Sequence, residues 1–193
     1  AQQKTIDILT PTETRRLLDC FNLRSIIQLR NYCICSLMLD SGLRLHEVVT
    51  LTLEHLHIPE GYAIVDGKGN KQRMVPLGLH TRKVLLRYQN RRPGCAPTDR
   101  FFLMSDLRPI TDNTVHLLFQ RLKKKTGMPR LRAHLLRHTF ATRYLENGGD
   151  MYALQQILGH TSLEMVKRYV HISTRRLVPG YSSYSPLDQL LKK

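Results

Sequence analysis

The segment 25–39 decides the architecture before any other part of the chain does. Its spacing predicts a helix, and Ile26, Ile27, Tyr32, Cys33, Leu37 and Met38 put apolar side chains on several of its sides. Such a helix has no face to give to water, so it belongs in the middle of a domain with other elements wrapped around it. The chain can supply that wrapping: 193 residues with 41% hydrophobic content suit one domain with a substantial core.

The surrounding elements are marked by their start and stop signals. Thr10, Pro11 and Glu13 form a capping box with proline at the first helical position, which predicts a helix over 11–20. The central helix stops at Ser41 and Gly42. Leu45, Val48, Val49 and Leu51 begin a further short helix, and strands are expected at about 55–58, 62–65 and 72–75. The last two strands flank the turn 66–71, Asp-Gly-Lys-Gly-Asn-Lys. Helical periodicity returns over 79–89, breaks at Arg92, Pro93 and Gly94, and resumes over 111–125. Three helices are expected to follow at 132–146, 151–158 and 162–171, the last opened by Thr161 and Glu164 as a second capping box. The prediction is a mainly α fold with a small three-stranded antiparallel β-sheet, residues 1–178 forming the domain and 179–193 a polar C-terminal tail.

Thirty lysines and arginines face fifteen aspartates and glutamates, a formal charge of +15 that a folded domain tolerates best beside a polyanion. Nucleic acid is the leading partner class, ahead of an anionic membrane. No apolar run approaches the roughly 20 residues of a membrane span, and the first residues resemble neither a signal peptide nor a basic anchor. A soluble, cytoplasmic protein is expected. Cys20, Cys33, Cys35 and Cys95 lack zinc-ligand spacing and read as reduced core thiols. Lys83, Arg87, Arg91, Arg92, Arg121, Lys123 to Lys125, Arg130, Arg132, Arg175 and Arg176 are candidates for tracking phosphates.

Arg137 is the hardest residue to explain structurally. On its helix it projects among Ala133, Phe140, Ala141 and Tyr144, where a charge is costly unless paired. A buried ion pair with a distant carboxylate is the plain account. An anion pocket shared with His134, one turn earlier, is the functional one. His134 and His138 have the i, i+4 spacing of a zinc pair, but Leu135 and Leu136 stand where a zincin motif needs its glutamate, and no acidic third ligand is near in sequence. His138 is read as structural. Arg44 falls in the first turn of a helix, where the macrodipole disfavours a cation, so Glu47 or an external phosphate should compensate it. Lys68 lies between glycines in a strand-to-strand turn, a place for a side chain that swings over a ligand or for an ordinary solvated lysine, and Lys71 and Arg73 are close enough to be confused with it. Tyr169 shares a helix face with Met165 and Val166. As a nucleophile it would need cations and a base to offset roughly 4 kcal/mol of ionisation cost near pH 7. His160 sits between Gly159 and Thr161, at two adjacent helix ends.

Taken together, Ser-Gly-Leu-Arg44-Leu-His-Glu47, Gly-Lys68-Gly-Asn-Lys-Gln-Arg-Met-Val-Pro-Leu, His134-Leu-Leu-Arg137-His-Thr-Phe-Ala-Thr, Leu-Gly-His160 and Tyr169-Val-His resemble the boxes of the tyrosine recombinase (phage integrase) family, in order, from about residue 8 to 171. The resemblance implies the catalytic-domain fold of that family. It also implies that Tyr169 is the nucleophile, Arg44 and Arg137 bind the scissile phosphate, Lys68 is the general acid, and His134 and His160 assist with protons and phosphate contacts. The N-terminal core-binding domain of the family has no counterpart in the sequence, so a catalytic fragment of a longer protein is expected.

The implied activity is cleavage and rejoining of double-stranded DNA through a 3′-phosphotyrosyl intermediate, with no metal, cofactor or ATP. The implied assembly is a homo-tetramer on paired DNA sites, aided by a directionality factor, with the C-terminal tail exchanged between protomers or packed on its own. Two alternatives differ in kind: a topoisomerase-like relaxing enzyme using the same chemistry, and a DNA-binding module without catalysis. Junction formation between two duplexes separates the first, and the fate of a covalent adduct on replacing Tyr169 separates the second.

Overall fold

The computed structural model describes residues 7–67, 72–94 and 99–159. Among these residues the order is α1 Pro11–Asp19, α2 Ile26–Asp40, α3 Leu45–Thr50, β1 Leu56–His57, β2 Tyr62–Asp66, β3 Gln72–Pro76, α4 Leu79–Gln89, α5 Asp112–Thr126, α6 Ala133–Glu146 and α7 Met151–Leu158. Side chains set most of the helix starts. The Thr10 hydroxyl accepts from the Glu13 amide, and the Glu13 carboxylate accepts from the Thr10 amide at 2.8 Å. Ser25, Thr111 and Asp150 cap α2, α5 and α7 through their side-chain oxygens. Gly127 and Gly159 end α5 and α7 in the left-handed conformation.

α2 is the axis of the core, as its all-round apolar pattern requires. Leu29, Cys33, Cys35, Leu37 and Met38 are wholly buried, and α4 and α6 pack against this helix. Val84 and Leu85 come from α4, and Leu135, Leu136, Phe140 and Ala141 from α6, all in one apolar cluster. Even Arg30 of α2 is inside, its Nη1 donating to the Leu103 carbonyl at 2.7 Å, which offsets the cost of burying the charge. Cys20, Cys33 and Cys35 are free thiols, and burial pushes the pKa of both Cys33 and Cys35 well up, so they stay protonated.

The three strands form an antiparallel sheet in the order β1-β2-β3. Ala63 pairs with Val75 and Val65 with Arg73, and Ala63, Val65 and Val75 are buried while Met74 on the opposite face is 61% exposed. Arg73 therefore shares the inward face with Val75. β1 is shorter than the expected 55–58 because Pro59 to Gly61 turn the chain, Gly61 donating back to the His57 carbonyl at a φ of 87°. No helix among the described residues is long and apolar enough to cross a membrane. The expected helix at 162–171, the turn carrying Lys68, Cys95, Arg175, Arg176 and the tail 179–193 lie outside the described residues.

Candidate active site

Arg44 is the N-cap residue of α3, and Glu47 stands in the first turn of that helix. The Glu47 carboxylate accepts from the Arg44 main-chain N–H at 2.7 Å and from Arg44 Nη1 at 2.8 Å. It compensates the cation at the helix end where the macrodipole disfavours one. Glu47 itself is only 5% exposed and needs more than one partner. Arg73 of β3 provides it, Nη1 and Nη2 donating to the two carboxylate oxygens at 2.8 and 2.9 Å in a fork. Burial pushes the Glu47 carboxyl up, but hydrogen bonds from Arg73 and from the Arg44 amide, with the charge of Arg73, outweigh this and leave it below its ordinary value. Arg73 Nε also donates to the Ile157 carbonyl at 2.7 Å, near the end of α7.

Arg137 is 7% exposed on α6, as its place among apolar residues predicts. Its guanidinium donates to main-chain carbonyls, Nη1 to Gly42 and Nη2 to Leu158, the latter at 2.7 Å. Gly42 follows the C-cap Ser41 of α2, and Leu158 is the last residue of α7. Both acceptors are carbonyls at helix C-terminal ends, where orphan C=O groups and the negative dipole end favour a guanidinium. Gly42 has a φ of 63°, and a Cβ there would lie 2.4 Å from the Phe140 ring, so glycine is required by both backbone and packing.

These bonds gather the loop before α3, strand β3, the inward face of α6 and the end of α7 at one corner. Arg44 is two residues beyond the Gly42 carbonyl held by Arg137. His134, in the first turn of α6, is exposed, and Arg137 three residues on is buried. Lys68, His160 and Tyr169 lie outside the described residues. Sequence reasoning misses Arg73, which reads as a mere neighbour of Lys68. Its signal was available, since a charge at an inward position two residues before Val75 must have a partner.

Several basic residues expected to face phosphates are tied to the protein itself. Arg130 donates to Glu13 at 2.6 Å and to Asp7, clamping the start of α1. Arg87 and Arg91 donate to the Leu23 carbonyl, each at 3.1 Å, and Arg92 to the Phe101 and Arg100 carbonyls. Lys125 donates to the Cys20 carbonyl. Arg121, Lys124 and Arg132 are exposed. Among the described residues no three His, Cys, Asp or Glu side chains gather as metal ligands would.

The family model described as "Phage integrase family" matches residues 7–176. The chain belongs to the phage integrase family. It is 32% identical over 189 residues to the tyrosine recombinase XerD of Staphylococcus saprophyticus, covering 95% of this chain and 64% of that protein. It is 32% identical over 195 residues to XerD of Oceanobacillus iheyensis, with the same coverages. The chain thus spans somewhat less than two thirds of these relatives. Among solved structures, the XerA recombinase superposes with a TM-score of 0.78 at 30% identity, over 94% of this chain and 66% of that one. The catalytic domain of bacteriophage HP1 integrase gives 0.70 at 24% identity, over 97% of this chain and 99% of that one, a likeness of fold. The helices around α2 and the three-stranded antiparallel sheet are the tyrosine recombinase catalytic-domain architecture.

Proposed function

We propose that this chain is the catalytic part of a site-specific recombinase that cleaves and rejoins double-stranded DNA through a tyrosine. The observation that carries the reading is the buried Arg137, held on the carbonyls of Gly42 and Leu158, because it joins the segment bearing Arg44 to the segment leading into His160. In this scheme Tyr169 attacks a scissile phosphate in line, its hydroxyl proton passing to His134 or His160. Arg44 and Arg137, assisted by His134 and His160, stabilise the charge that grows on the nonbridging oxygens. Lys68 gives its proton to the departing 5′ oxygen, leaving a 3′-phosphotyrosyl bond and a free 5′ hydroxyl. That bond conserves the energy of the phosphodiester, so a 5′ hydroxyl from another duplex can reverse the attack without ATP. The guanidinium groups take the electrostatic part that a metal plays at other phosphoryl-transfer sites.

The XerH recombinase, 24% identical with a TM-score of 0.73, is known bound to its difH substrate, and the net charge of +15 here favours a DNA partner as well. We extend the reading to a homo-tetramer on two DNA sites, acting in the cytoplasm at the nucleoid, with a directionality factor as accessory. In that assembly the chain after Tyr169, with Leu177, Val178, Leu187, Leu190 and Leu191 as apolar anchors, docks on a neighbouring protomer or packs on its own.

The test uses nicked suicide duplexes from a randomised pool, incubated with the protein and selected for a denaturant-resistant adduct. The protein is expected to form the adduct, with the modified peptide carrying Tyr169, and Tyr169→Phe is expected to bind the same DNA without forming it. An adduct that persists in Tyr169→Phe refutes the assignment of the nucleophile.

A further inference from the structure

Glu47 is a buried anion placed directly against Arg44, a residue the proposed mechanism needs as a cation. Left alone with Arg44, the carboxylate would form a neutral pair and take both the charge and the donor geometry of that guanidinium away from a phosphate. Arg73 changes the balance. It holds both carboxylate oxygens through its fork, at 2.8 and 2.9 Å, while Arg44 keeps one Nη1 contact and its main-chain bond. The trio Arg44, Glu47 and Arg73 carries a net charge of +1, and without Arg73 it would carry none.

The two arginines also differ in exposure. The Arg73 side chain is 12% exposed and that of Arg44 is 37% exposed. Arg73 is fixed further by its Nε bond to the Ile157 carbonyl, and a Cβ on Gly159 would lie 3.0 Å from its Cδ, Nε and Nη1. The inner guanidinium is spent on the protein, and the outer one is open to a ligand.

We propose that Arg73 is a positioning residue that acts through Glu47, neutralising that carboxylate so that Arg44 retains a usable positive charge for the scissile phosphate. The inference rests on the recombinase reading above. It predicts that what the site needs from position 73 is a counter-charge rather than a packed side chain. Arg73→Met then leaves Glu47 to cancel Arg44, Arg73→Lys keeps the charge, and Glu47→Gln on top of Arg73→Met removes the anion that did the cancelling.

The experiment measures single-turnover cleavage of a selected suicide duplex at saturating protein, so that affinity does not enter the rate, with thermal melting of each variant alongside. Arg73→Met is expected to cleave on the order of 10²-fold more slowly than the unaltered chain, the scale of a misplaced catalytic group. Arg73→Lys is expected to stay within about tenfold, and Glu47→Gln/Arg73→Met to recover at least about tenfold over Arg73→Met. A purely structural role predicts the opposite for the double variant, which has lost still more hydrogen bonds. Arg73→Met cleaving at the unaltered rate overturns the inference, as does a folded double variant no faster than Arg73→Met. If Arg73→Met alone fails to fold, the double variant, which no longer buries a carboxylate held by Arg44 alone, decides in its place: folded and cleaving supports the inference, folded and inert overturns it. Failure of the unaltered chain to form any adduct would instead refute the recombinase reading, so the two failures are told apart.

Discussion

Arg137 on α6 grips Leu158, the last residue of α7, through a hydrogen bond of 2.7 Å from Nη2 to the main-chain carbonyl. The same guanidinium holds the carbonyl of Gly42, so one side chain joins three segments far apart in sequence. Replacing it with Met keeps much of the volume but leaves two carbonyls inside without this donor. A buried unsatisfied carbonyl costs about 1–3 kcal/mol, so Arg137→Met is expected to lose roughly 3 kcal/mol in urea unfolding at neutral pH. A loss under about 1 kcal/mol would mean that these bonds add little to the fold.

Gly42 and Gly127 both have positive φ, 63° and 68°, yet they meet different surroundings. A Cβ at 42 would lie 2.4 Å from the Phe140 ring, whereas at 127 nothing lies within 4 Å. Gly127→Ala should cost only the left-handed backbone penalty, about 1 kcal/mol, while Gly42→Ala adds displacement of a packed ring and should cost about 3 kcal/mol or more. Equal losses in paired denaturation curves would refute the packing part of this argument.

The Glu47 carboxyl is held below its ordinary value of 4.5 in the folded chain. The folded state therefore binds its proton less readily than the unfolded state does. The stabilisation is fully present above about pH 4.5 and fades as pH falls through the depressed folded value. Urea midpoints from neutral pH down to about pH 3 should fall more steeply for the unaltered chain than for Glu47→Gln, which has no proton to take up there. Parallel curves would show that Glu47 gains nothing from its two arginines.

Arg130 and Arg132 are near neighbours with opposite prospects. Arg130 is engaged by Asp7 and Glu13, and Arg132 is exposed at the N-cap of α6. If Arg132 meets a phosphate, Arg132→Ala should lower the slope of log affinity for DNA against log salt by about 1. Arg130→Ala should leave that slope alone and lower the melting temperature instead. The reverse pattern would put the DNA-facing charge on the wrong arginine.

Much of the fold was legible because its signals are local. The capping box of Thr10 and Glu13, Ser25 ahead of the central helix and Gly159 at the end of α7 each act within a few residues of themselves. The burial of Arg137 could also be read, since helical periodicity alone sets it among apolar neighbours. Its partners could not, because Gly42 is 95 positions away and offers a main-chain carbonyl that no residue type announces. Arg73 and Arg130 show the same limit. An arginine that binds a phosphate and one that binds a carboxylate look alike in a sequence, and only the tertiary placement of Glu47 or Glu13 separates them.

The corner that joins Gly42, Arg73, Arg137 and Leu158 is assembled entirely from partners distant along the chain. No fragment that has yet to bring α7 back against β3 can own it. During synthesis the emerging polypeptide therefore lacks this corner until α7, the last described helix, docks.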